Sequence, residues 1–127
     1  MDPMKKTLFA VTAVIEAGAG LPLIIWPSVA VMLLLGSSLD NPAGLILGRV
    51  AGAALLALGV ACWLARHDTE SPSAAGLIMA MLLYNSAVVL LLAVAGVFSG
   101  LVGIFLWPAV ALHAAMAVWC IAHVRSR

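Results

Sequence analysis

The sequence predicts an all-α polytopic membrane protein: an antiparallel bundle of four transmembrane helices with a short extra interfacial helix between spans one and two. Three observations predict it. Of the 127 residues, 65% are hydrophobic and only 9% charged, against roughly 25% charged in soluble globular domains, and mean hydropathy is +1.22. Four apolar runs each supply the ~20 residues that cross a ~30 Å hydrocarbon core. Lysine and arginine gather at alternate ends of those runs. One transmembrane domain over residues 1–127 follows, with spans at 7–26, 42–65, 74–97 and 101–124 and an outer helix at 28–35.

Met4-Lys5-Lys6 reads as a natural start, with Met1-Asp2-Pro3 as a scar ahead of it. The first span then runs from Thr7 to Trp26. A positive start before an apolar run also describes a signal peptide, but Glu16 interrupts this one and no cleavage site precedes a polar mature start. A retained span is the expectation. Helix continued from Thr7 to Leu35 would measure about 43 Å, too long for the bilayer core without strong tilt. Pro22 and Pro27 each remove a backbone donor, so the chain is expected to break near Trp26-Pro27. Ser28 is expected to cap the short outer helix, which Gly36 ends.

Gly36-Ser37-Ser38-Leu39-Asp40-Asn41-Pro42 is a turn cluster. Asp40 or Asn41 suits an N-cap, with Pro42 at the first helical position of the second span. The polar loop Arg66 to Ser73 separates spans two and three, with Ser73 as the expected cap of the third. Ser99-Gly100 reads as a minimal turn into the fourth span, which Pro108 should kink a turn before His113.

Lys5, Lys6, Arg66, Arg125 and Arg127 lie at the N-terminus, the loop between spans two and three, and the C-terminus. The other two connections carry no basic residue. The positive-inside rule therefore predicts cytoplasmic termini. Trp26 and Phe98 then mark the outer interface, Trp63 and Trp119 the inner one.

Five residues fall at depth: Glu16, Arg49, Tyr84, Asn85 and His113. An acid or arginine at mid-span costs roughly 2.5–3.5 kcal/mol on the translocon scale, so Glu16 and Arg49 are expected to pair inside the protein, with Thr12 as a second partner of Glu16. The planar guanidinium suits a carboxylate. Such a pair either fixes helix register alone or belongs to a site that binds or moves something. Tyr84 and Asn85 line a cavity or bridge helices. His113 is a hydrogen-bonded interface residue, a member of a proton relay, or a haem or metal ligand.

Gly44, Gly48 and Gly52 recur every fourth residue and form a stripe where another helix can approach, within the chain or from a second protomer. Arg49 lies about 100° around the helix from Gly48, which would let it face Glu16.

Several functions are disfavoured. No basic patch with interleaved aromatics suggests nucleic acid. Cys62 and Cys120 lack a CxxC or Cys/His pattern and read as small buried hydrophobes; no metal site is assigned. No nucleophile–base pair, HExxH or phosphate loop is present, so no catalytic residue is assigned and no enzyme is expected.

Glu16 in span one, Pro27, the Leu33-Leu34-Leu35-Gly36 turn, Pro42 and Gly48-Arg49 together give a layout that resembles small uncharacterised four-helix bacterial inner-membrane families. That resemblance implies the inner (cytoplasmic) membrane of a bacterium and no activity. The chain is also similar in length, span number and the placement of Glu16 to the small multidrug resistance transporters, whose first-span glutamate exchanges protons for cationic drugs. It departs from them in Arg49, which would neutralise such a carboxylate, in lacking the tyrosine–tryptophan signature of the later spans, and in its strong charge bias.

The leading expectation is a small membrane protein with an intramembrane polar pocket that binds or passes a small solute or proton. The alternatives are a structural accessory subunit whose Glu–Arg pair only fixes packing, and a cofactor-bearing subunit with His113 as ligand; no cofactor is assigned. The expected partners are the lipid bilayer and either further copies of the chain or a partner membrane subunit.

Overall fold

In a computed structural model, which describes residues 2–125, the chain is all-helical: α1 (Pro3–Ile25), α2 (Pro27–Leu35), α3 (Pro42–Ala65), α4 (Pro72–Phe98) and α5 (Leu106–Arg125). Four of these, α1, α3, α4 and α5, are long and apolar enough to cross a membrane. Large apolar side chains are heavily exposed along them, among them Leu47, Leu64, Leu83 and Leu91. Such surface suits lipid and not water. The all-α class, the four long apolar helices and the short helix between the first two are as the sequence predicts, and they make the chain a multi-pass membrane protein. Arg127, which contributes to the expected orientation, and Met1 lie outside the described residues.

Proline starts four of the five helices, at Pro3, Pro27, Pro42 and Pro72. Its missing N–H is harmless in a first turn, where helical donors have no partner anyway. The residue ahead supplies the cap in three of them. Asp2 Oδ1 accepts the Met4 and Lys5 N–H groups, Asn41 Oδ1 that of Gly44 at 2.7 Å, and Ser71 Oγ that of Ala74 at 3.1 Å.

Three expected boundaries change as a result. The first span starts at Pro3 under the Asp2 cap. The third starts at Pro72, capped by Ser71 and not Ser73. Ser28 lies inside α2, where its hydroxyl donates to the Leu39 carbonyl at 3.3 Å. The break before Pro27 is as expected: α1 stops at Ile25, and the Trp26 N–H reaches back to the Pro22 carbonyl at 2.7 Å.

The chain forms two compact units, Met1–Met32 with Ser38–Glu70, and Leu33–Ser37 with Ser71–Arg127. In the first, α1 and α3 pack along their length. The tightest approach is between glycines: a Cβ on Gly20 would lie 2.7 Å from the Gly52 carbonyl oxygen, and one on Gly52 would lie 2.6 Å from that of Gly20. Near one end Thr69 Oγ1 accepts the Asp2 N–H at 3.1 Å, and Lys5 Nζ stands 3.6 Å from Glu70 and 3.9 Å from Asp2. This ties the start of α1 to the loop after α3.

In the second unit α4 packs on α5. Gly100, at φ +64°, ends α4, and the Leu101 N–H bonds back to the Ala95 carbonyl at 3.1 Å. The Ser99 N–H donates to the same carbonyl at 3.2 Å, so the helix end closes on Ala95 across a left-handed glycine. The fourth span then begins at Leu106 and not at Leu101. Residues 101–105 cross the end of α2 instead, where Gly103 N–H donates to Leu34 O at 3.1 Å and Phe105 N–H to Leu33 O at 3.0 Å. The last carbonyls of a helix lack intrahelical partners, and in an apolar medium each unmet group is costly. Residues 101–105 answer two of them. Pro108 therefore sits in the first turn of α5, where it does not interrupt the helical ladder, and the expected kink has no cause.

Candidate functional site

The second unit brings Tyr84, Asn85 and His113 together. Asn85 lies near the middle of α4 and is 1% exposed. Its Nδ2 donates to the Met81 carbonyl one turn back, at 2.7 Å. A carbonyl only accepts, so that bond fixes the amide orientation and turns Oδ1 toward α5. There it lies 2.7 Å from His113 Nδ1. Oδ1 also only accepts, so His113 Nδ1 must carry the hydrogen. In the neutral imidazole Nε2 is then the bare nitrogen, able to accept a proton or a hydrogen bond. The Tyr84 ring meets His113 edge-on, with centroids 5.7 Å apart and planes at 81°, a geometry that aromatic rings favour. Half-buried Tyr84 and His113 leave the imidazole reachable.

Glu16 belongs to the first unit. It is 2% exposed on α1, next to buried Thr12. Its Cβ faces Gly59 of α3, where an added Cβ would lie 3.5 Å away. Thr12 Oγ1 has no hydrogen-bond partner among the described residues, so it does not serve Glu16 as expected.

The expected Glu16–Arg49 pair does not form. Arg49 is exposed, and it makes no ion pair among the described residues. Helix register is the reason. Gly20 against Gly52 and Ala13 against Gly59 define an antiparallel pairing that sets Glu16 opposite Leu56. Arg49 stands two turns from there, about 10 Å along α3, and its side chain is exposed.

The glycine stripe is used only in part. Gly52 meets α1, but Gly48 faces Leu39 and Pro27, and Gly44 faces Asn41 and Leu39. Gly44 and Gly48 accommodate the preceding turn and the start of α2. The glycines that bring α1 and α3 together are Gly20, Gly52 and Gly59. Gly52 and Gly59 are one heptad apart, a spacing legible in the sequence beside the four-residue stripe.

Arg66, just past α3, lies over the Trp63 ring, 3.6 Å from its centroid, and donates to the Trp63 carbonyl. It thereby answers a terminal carbonyl and anchors that helix end. Cys62 and Cys120 are fully buried. Among the described residues no group of three His, Cys, Asp or Glu side chains could hold a metal ion.

Compared with protein-family models, curated proteins and solved structures, the chain finds no match.

Proposed function

We propose that this chain is a small bacterial inner-membrane protein, with both termini in the cytoplasm, that binds or passes a proton or small solute through titratable groups held at depth. The observation that carries the reading is the Asn85–His113 bond at 2.7 Å, with Asn85 itself tied to Met81. Holding the imidazole as its Nδ1–H tautomer leaves Nε2 as the proton-accepting atom. A histidine ionises near neutrality in its unperturbed state, and intramembrane ionisable groups commonly mark ion pathways. Glu16 is the second candidate carrier. Arg49 drops out of the site, and no enzymatic role is proposed.

Proton flux in proteoliposomes tests this. The unmodified chain should carry protons above the protein-free background, and His113→Gln should reduce that flux strongly. Flux unchanged in His113→Gln, with a lowered unfolding temperature, would favour the rival reading, an accessory subunit whose polar groups serve packing alone.

A further inference from the structure

The α1–α3 pair carries a groove that neither polar centre uses. Its volume is about 290 Å³, and Ala13, Val14, Ala17, Gly59, Val60 and Trp63 line most of it. That lies at the low end of ligand sites, which run about 300–1,000 Å³, so it suits a single slender chain. Its floor is shallow because the helices nearly touch: a Cβ on Gly59 would lie 3.2 Å from the Ala13 carbonyl oxygen.

Two cations stand at one end of it. Steps of seven residues lead from Gly20–Gly52 through Ala13–Gly59 to Lys6 opposite Arg66. Lys6 also shares the helical stripe of Ala10, Ala13, Val14 and Ala17. Arg66 lies over Trp63, which is itself a wall of the groove. Lys5 is occupied between Asp2 and Glu70, whereas Lys6 is exposed and makes no ion pair among the described residues. Asp68 and Glu70 are the carboxylates of the adjoining loop, and Glu70 is the one held by Lys5.

The dimensions match one leaflet. From Arg66 back to Leu56, the deepest lining residue of α3, the helix rises about 15 Å, half of a ~30 Å hydrocarbon core. An apolar trough one leaflet deep with paired cations at its mouth complements a lipid anion, and Arg is suited to hold its phosphate in bidentate fashion.

We propose that this groove seats an acyl chain of an anionic phospholipid, with the headgroup phosphate between Lys6 and Arg66. Basic residues near a membrane surface are each worth about 1 kcal/mol toward anionic lipid, so two correspond to about a 30-fold preference.

The test titrates the full chain in detergent with phosphatidylglycerol or phosphatidylcholine bearing brominated acyl chains. Quenching of Trp63 is read as the difference between the unmodified chain and Trp63→Phe. Phosphatidylglycerol should quench at about 30-fold lower concentration. The double variant Lys6→Gln/Arg66→Gln should remove that preference while keeping quenching by both lipids. Ala17→Phe, which fills the trough, should remove quenching by either. Equal quenching by the two lipids in the unmodified chain overturns the proposal. So does a preference that survives in the double variant, or quenching that survives Ala17→Phe.

Discussion

His113 Nδ1 and Asn85 Oδ1 lie 2.7 Å apart across the α4–α5 pair, and the Met81 carbonyl decides which of the two donates. A backbone oxygen thus sets the tautomer of a histidine on a neighbouring helix.

Replacing Asn85 with leucine removes one partner each from His113 and from the Met81 carbonyl. Leaving buried polar groups unmet costs about 1–3 kcal/mol. Asn85→Leu should therefore destabilise the protein by an amount in that range. Because both residues belong to one network, Asn85→Leu combined with His113→Leu should cost less than the sum of the single changes. Reversible unfolding in mixed micelles measures both.

The glycine contact between α1 and α3 allows an internally controlled comparison. Gly52→Ala places a methyl 2.6 Å from the Gly20 carbonyl oxygen, so the helices must separate. Gly18 and Gly76 have nothing within 4 Å of an added Cβ. At these two sites alanine should be neutral or stabilising, by up to ~1 kcal/mol from helix propensity. Unfolding temperatures should fall for Gly52→Ala and hold or rise for Gly18→Ala and Gly76→Ala.

Arg49 and Glu16 are expected to act independently. In a double-mutant cycle built on Arg49→Leu and Glu16→Gln, the coupling energy should lie within about 0.5 kcal/mol of zero. A large coupling would show that the two side chains meet.

Asp2→Ala removes the cap of α1. A lost aspartate cap costs roughly 0.5–2 kcal/mol, so amide exchange at Met4 and Lys5 should accelerate while exchange in the middle of α1 stays slow. Hydrogen exchange resolved by residue tests this.

The features legible in the sequence are those encoded locally. Proline at a helix start and Asn41 as a cap each act within a few residues, so the break at Trp26–Pro27 and the start of α3 were readable. Residues 101–105 were not, because Leu101 to Phe105 are as apolar as a span and their structure comes from pairing with Leu33 and Leu34, far back in the chain. The partner of Arg49 is not legible for a similar reason. Its helix and depth were readable, but which residue of α1 it faces depends on register, and the Gly20–Gly52 contact decides that. Tyr84, Asn85 and His113 stand out in the sequence as polar groups inside apolar helices; the Asn85–His113 bond and the Tyr84–His113 ring contact depend on how α4 packs on α5.

The most direct measurement is the tautomer of His113, read from the nitrogen chemical shifts of selectively labelled protein in bilayers above the pH at which the imidazole is neutral. A protonated Nδ1 and a bare Nε2 are predicted, with the proton redistributing between the two nitrogens in Asn85→Leu. A protonated Nε2 in the unmodified chain would contradict the assignment, and with it the proton-accepting role given to that nitrogen.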